Sequence, residues 1–343
     1  MHSILLIFRP AQRFLALSLP LLLSQSLAQA QGFGGGPPPM RQHRATETQP
    51  ITLVPANQKP PGSPTSEITL QSPSRLIKAN AIPDHLVGPF PNRGNPHSIE
   101  PQSYTFTLPA SPTAAAQITP LHASAQNGAP QGPPNQPFGI ALNGVLFDPG
   151  TAEFWNGDRA SDWNYEALGG AVPLGLDENH AHVQPSGAYH YHGLPKPVMD
   201  QLSLKPDQHS PLIGWAADGF PIYALRGYAD PKDPTSGMKT LRSSYALKSG
   251  QRPEPPTGPG GTHDGAFIQD YTFVPGSGDL DECNGRFTLT PEFPEGTYAY
   301  FLTAEWPVIP RAFHGTPIPL RGPGGPGSSS KGKSKSKGKG PPR

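Results

Sequence analysis

Residues 68–70 and 103–108 alternate apolar and polar side chains with period two, the pattern of strands that bury one face. Two further apolar runs, 140–142 and 145–147, flank Asn143-Gly144, the strongest short-range hairpin signal. Residues 212–216 and 221–225 read as short strands around Asp218-Gly219, and 267–274 and 298–303 look similar. Residues 161–168 are expected to form one short helix, with Ser161 or Asp162 as N-cap and Gly169 just past its end. The chain has 48 Pro and 39 Gly among 343 residues, which disfavours long helices throughout. The pattern predicts an all-β fold with short strands, long Pro/Gly-rich loops and at most one or two short helices. One sandwich- or barrel-like domain over residues 67–320 accommodates it.

The flanks differ from this body. Arg9 and Arg13 accompany an apolar run at 14–23, and Ala28-Gln29-Ala30 has the form of a cleavage site, so residues 1–30 read as a secretory signal peptide. No later apolar run is long enough for a membrane-spanning helix, and the expected location is secreted, periplasmic or extracellular. Residues 31–66 are Pro/Gly-rich without apolar periodicity and read as a linker; 109–137 reads as a long surface loop. All 25 acidic side chains lie between 31 and 321, whereas six of the 26 basic ones fall in the last 22 residues. An acidic body argues against nucleic acid as a partner. The Gly/Ser/Lys-rich tail, 321–343, is expected to be disordered and is suited to contact anionic surfaces. The single cysteine, Cys283, offers neither an internal disulfide nor a thiolate cluster.

The candidate chemistry is a pair of His-x-His sequences, His180-Ala181-His182 and His190-Tyr191-His192, either side of a turn. In a strand both histidines of each pair share a face. If Pro185-Ser186-Gly187 is a three-residue hairpin loop, His182 lies opposite His190 and His180 opposite His192. Opposed Cβ atoms are about 5 Å apart, so four imidazoles converge on one patch. A one-residue slip would separate the pairs. Imidazoles without thiolates suit Zn or Cu better than Mg or Ca. Tyr189 and Tyr191 have the opposite parity and are expected to pack into the core.

Tyr189-His190-Tyr191-His192 spells the motif of the YHYH family of exported proteins, and other segments resemble that family. These include residues 81–85, 90–96 and 148–155, Leu176-Asp177-Glu178-Asn179, 209–212, Ala217-Asp218-Gly219-Phe220-Pro221-Ile222-Tyr223 and 280–285. The resemblance spans roughly 67–320 and implies membership without implying an activity. Members often look like Tyr-His-Tyr near residue 298, where this chain has Ala299.

The expected metal ligands are therefore His180, His182, His190 and His192, with His209 and Asp218 as further candidates. Glu178 is the candidate general base or orienting carboxylate. Three functions fit: a secreted Zn- or Cu-binding domain, a metal-dependent extracellular hydrolase or oxidase with one coordination position open, and a non-catalytic structural or glycan-binding module. Four tryptophans, Trp155, Trp163, Trp215 and Trp306, are sparse enough to be core residues.

Overall fold

A computed structural model describes residues 43–121, 136–158 and 161–321. The segment read as a signal peptide, the start of the segment read as a linker, most of the basic tail and part of segment 109–137 lie outside them.

Three antiparallel strands, β1 (Ser66–Gln71), β2 (Ser74–Ala79) and β3 (Tyr104–Pro109), form a first sheet in the order β1-β2-β3. Period two predicted its inner face: Phe106 and Leu108 are buried while Thr105 and Thr107 are exposed. Next come β4 (Ala114–Pro120), β5 (Gly139–Ala141), β6 (Leu146–Phe147), β7 (Ala181–Val183) and β8 (Tyr189–Tyr191). After helix α1 (Lys196–Leu204) follow β9 (Gly214–Ala216) and β10 (Pro221–Ala224). Two hairpin strands, β11 (Arg226–Asp230) and β12 (Asp233–Thr240), precede β13 (Tyr245–Leu247) and β14 (Tyr271–Phe273). The fold ends with β15 (Gly285–Thr290), β16 (Phe293–Leu302) and β17 (Ala312–Gly315).

Eight of these strands make the central sheet, ordered β15-β16-β10-β9-β5-β6-β8-β7. It is open, so of the two expected architectures the closed barrel is not formed. The pairs β6·β8 and β10·β16 are parallel and the rest antiparallel. The strands at its centre are buried along their whole length, as sheets covered on both faces require. One apolar cluster joins Ile77, Phe106 and Leu108 of the first sheet to Ile140, Tyr191 and Ile222 of the central one. The Arg75 guanidinium lies 3.3 Å over the Trp215 ring, a further contact between the sheets.

Asn143-Gly144 turns β5 into β6 as expected, with Gly144 at φ +85°. Two expectations need correction. Residues 161–168 are not helical: Asn164 bridges Phe154, Tyr165 bridges Phe267, and the Tyr165 and Phe267 rings stack at 4.5 Å. Burying two aromatic rings against a distant partner outweighs a marginal short helix. The helix forms instead at Lys196–Leu204, where proline occupies the first turn and Val198, Met199 and Leu202 face the core. Residues 43–65, read as linker, run along the domain. Val54 N–H donates to the Leu176 carbonyl at 2.9 Å, Glu178 N–H to the Val54 carbonyl at 3.0 Å, and Gln58 and Val87 exchange two bonds of 2.9 Å. An extended segment without apolar periodicity still carries backbone donors and acceptors, and here they pair.

Candidate metal centre

The β7–β8 hairpin closes through Pro185-Ser186-Gly187. Gln184 N–H donates to the Ala188 carbonyl at 2.9 Å, Gly187 N–H to the Gln184 carbonyl at 2.8 Å, and Gly187 adopts φ +84°. Register follows: Ala181 pairs with Tyr191, His182 with His190, and Val183 with Tyr189. The tyrosines project to the face opposite the histidines and are fixed there. Tyr189 donates to Asp177 Oδ2 at 2.7 Å, and the Tyr191 hydroxyl lies 2.7 Å from His85 Nε2 and accepts from Asn143 Nδ2 at 2.9 Å. Both rings are fully buried, which anchors β8.

On the other face His182, His190 and His192 form a near-symmetric triad with every pair of ring centroids 4.7 Å apart. Their Nε2 atoms converge. His192 Nε2 is 3.0 Å from His190 Nε2 and 3.1 Å from His182 Nε2. His190 and His192 are buried, and His182 retains partial exposure. Among the described residues this is the group of three or more His, Cys, Asp or Glu whose ligand atoms lie close enough to share an ion.

The outer nitrogens fix the tautomers. His182 Nδ1 lies 2.8 Å from the Leu174 carbonyl and His190 Nδ1 3.2 Å from the Ala188 carbonyl. A carbonyl only accepts, so both rings carry their proton on Nδ1 and present bare Nε2 lone pairs to His192. His192 Nδ1 is buried without a well-aligned hydrogen bond, with the Pro149 carbonyl the acceptor acting on that ring. His192 Nε2 carries at most one proton, which cannot satisfy two acceptors at once; a cation between the three satisfies all of them. Nitrogens about 2.1 Å from a metal stand about 3.0 Å apart at a right angle and about 3.4 Å at the tetrahedral angle, so the observed spacing fits. Backbone carbonyls behind ligating imidazoles are the usual support of such sites.

Burial keeps the triad uncharged. Desolvation lowers His182 to about 3, helped by the neighbouring His190, and lowers His190 to about 3. His192 is pushed well below its ordinary value by burial and by the other two rings. Ligation needs neutral imidazole, and this environment supplies it.

The fourth expected imidazole is not in the group. His180 Nδ1 lies 2.8 Å from the Leu194 carbonyl, and the residue has φ +52°. Its backbone keeps register, since His192 N–H donates to the His180 carbonyl at 2.8 Å, but the left-handed conformation turns the side chain out of the strand pattern. The turn before it imposes that conformation: His180 N–H donates to the Asp177 carbonyl at 2.8 Å, and buried Asp177 is itself held by Gly88 N–H, Asn179 and Tyr189. Glu178 also serves structure, accepting from Ala56 N–H at 2.9 Å. His209 packs among Tyr223, Tyr228 and Phe301 with Nδ1 2.7 Å from the Ser210 carbonyl. Asp218 sits at the β9–β10 turn, accepting from the Tyr300 hydroxyl and from Gly315 N–H. None of these three joins the triad.

Sequence reasoning missed Asp148. Its N–H donates to the Tyr191 carbonyl at 2.8 Å, which places it beside β8. Oδ2 accepts from Gln184 Nε2 at 2.9 Å and pairs with Arg321, while Oδ1 is buried without a partner among the described residues. Burial raises its pKa, Arg321 opposes that, and its charge acts on His182. The available signal was its place at the head of the 148–155 segment.

The family described as YHYH protein matches residues 105–315, which include the whole hairpin, and the chain belongs to that family. No curated protein and no solved structure matches the chain. No helix among the described residues is long and apolar enough to cross a membrane.

Proposed function

We propose that the protein binds one divalent transition metal ion, zinc or copper, on the Nε2 atoms of His182, His190 and His192, and that it does so after export. The observation that carries this reading is the set of three inward-facing Nε2 atoms spaced 3.0 and 3.1 Å, two of them with Nδ1 committed to carbonyls. Export rests on the signal-like first 30 residues. Metal analysis of the purified protein beside His190→Ala tests the site: one ion per chain is expected in the first and none in the second. Equal content would end the proposal.

A second reading, a metal-dependent hydrolase or oxidase, is favoured by one observation. Three protein ligands, not four, leave a coordination position open, which is the arrangement of catalytic rather than structural zinc. His182 is the ligand with solvent access, and the unpartnered Oδ1 of Asp148 supplies a nearby acceptor. Cobalt-substituted protein titrated with azide separates the readings. A shifted visible spectrum supports an open position, and an unchanged spectrum supports a closed, purely structural ion.

A further inference from the structure

Residues 92–102 run as a strap along the outer edge of β7, the last strand of the central sheet. Buried Asn95 donates from Nδ2 to the Val183 carbonyl at 2.8 Å, and Asn92 Nδ2 donates to the Gly175 carbonyl at 2.9 Å. Gly94 lies so close to Leu174-Gly175 that a Cβ on it would come within 2.4 Å of the Gly175 nitrogen. The Leu174 carbonyl holds His182 Nδ1, and Val183 directly follows His182. The strap therefore grips the supports of His182 on both sides. It is tied down again where Glu100 N–H donates to the Gly187 carbonyl at 2.9 Å.

His97 rides between these anchors, with its N–H donating to Asn95 Oδ1 at 3.4 Å. The residue is half-buried, and its ring nitrogens make no hydrogen bond among the described residues. Its charge acts on His182, the one triad member that keeps access to solvent. His97 does not belong to the group whose ligand atoms can share an ion, so it stands outside the three ligands. A neutral imidazole with an uncommitted nitrogen is nonetheless a competent metal ligand.

We infer that His97 is an entry ligand, which takes up the arriving ion and passes it to His182. The inference rests on the metal-binding reading above and adds a route into that site. A divalent ion reaches a buried site only by shedding its water, and two of the three ligands are buried. The His97 nitrogen first replaces one bound water. His182 Nε2 then displaces His97, and the ion settles among the three Nε2 atoms. Each exchange forms one metal–nitrogen bond as one bond to water or to His97 breaks, and no electron is transferred. A stop on the path lowers the barrier equally in both directions, so it changes rates and leaves affinity alone.

The test mixes the metal-free full chain with cobalt(II) in a stopped-flow instrument and follows visible absorption for uptake. Mixing the loaded chain with excess chelator gives release. His97→Ala is expected to slow both rates about tenfold while Kd changes less than about twofold. His97→Asp keeps a ligand and is expected to recover most of the rate, whereas His97→Gln, polar but a poor ligand, is not. Rates restored by Gln would mark a merely structural contact and overturn the inference. So would unchanged rates, or an affinity loss beyond about 100-fold at unchanged uptake, the behaviour of a permanent fourth ligand. His190→Ala run alongside separates the two readings. Uptake by the unaltered chain no better than by that variant ends metal binding itself, whereas normal uptake indifferent to His97 ends only the entry role.

Discussion

His182 and His190 face each other directly across the β7–β8 hairpin, with ring centroids 4.7 Å apart. The pairing depends on a loop of three residues, and its third member is the sensitive one. A Cβ on Gly187 would come within 2.4 Å of Glu100 Cβ, at a φ of +84° that side chains resist. Gly187→Ala is expected to cost roughly 2 kcal/mol or more and to lower bound metal together with stability. Thermal unfolding and metal content measured on the same sample check this. Full metal content in a destabilised variant would uncouple the loop from the site.

The three-ligand arrangement separates two histidines that look equivalent in sequence. His182→Ala is expected to weaken metal binding more than about 100-fold, and His180→Ala less than about threefold. Competition titration against a chelator of known affinity measures both. Equal losses would return His180 to the site.

How much was legible follows from where each constraint lies. The loop Pro185-Ser186-Gly187 specifies its own turn, so the opposition of His182 and His190 could be read from local residues alone. His180 could not, because its left-handed backbone comes from Asp177, which Gly88 holds from a distant part of the chain and Tyr189 from across the hairpin. The expected helix at 161–168 failed for a similar reason: Phe267, a hundred residues on, claims Tyr165. Alternation predicted the burial of β3, and the all-β class followed from composition and pattern. Asp148 carries no spacing signal at all; only the fold brings it beside His182.

Acid should act on the metal-free protein through the triad. All three imidazoles have folded-state values below the 6.5 of a free histidine, two of them at about 3. Protonation therefore favours the unfolded chain. Their contribution to stability is fully present above pH 6.5 and is lost as pH falls from there toward 3. Melting temperature of the metal-free protein is expected to drop across that window, and less steeply in His190→Gln. Metal affinity should stay nearly flat between pH 7 and 5, since no protons compete; a steep fall near pH 6 would mean that the imidazoles are solvated.

Asp148→Asn removes the buried charge that acts on His182 while keeping the acceptor for Gln184. Metal affinity is expected to fall by about 10- to 100-fold, the usual effect of an outer partner. Isothermal titration with zinc checks it, and an unchanged constant would confine Asp148 to its pair with Arg321.

Residues 43–65 and the first two strands precede Thr105, where the family match begins. A recombinant fragment cut to 105–315 would strip Arg75 from Trp215, Ala56 from Glu178 and Gly88 from Asp177. It would expose the inner layer and loosen the very bend that steers His180 aside. Shortened expression plasmids designed on motif limits alone are therefore expected to yield insoluble product, whereas starting near residue 40 preserves the architecture.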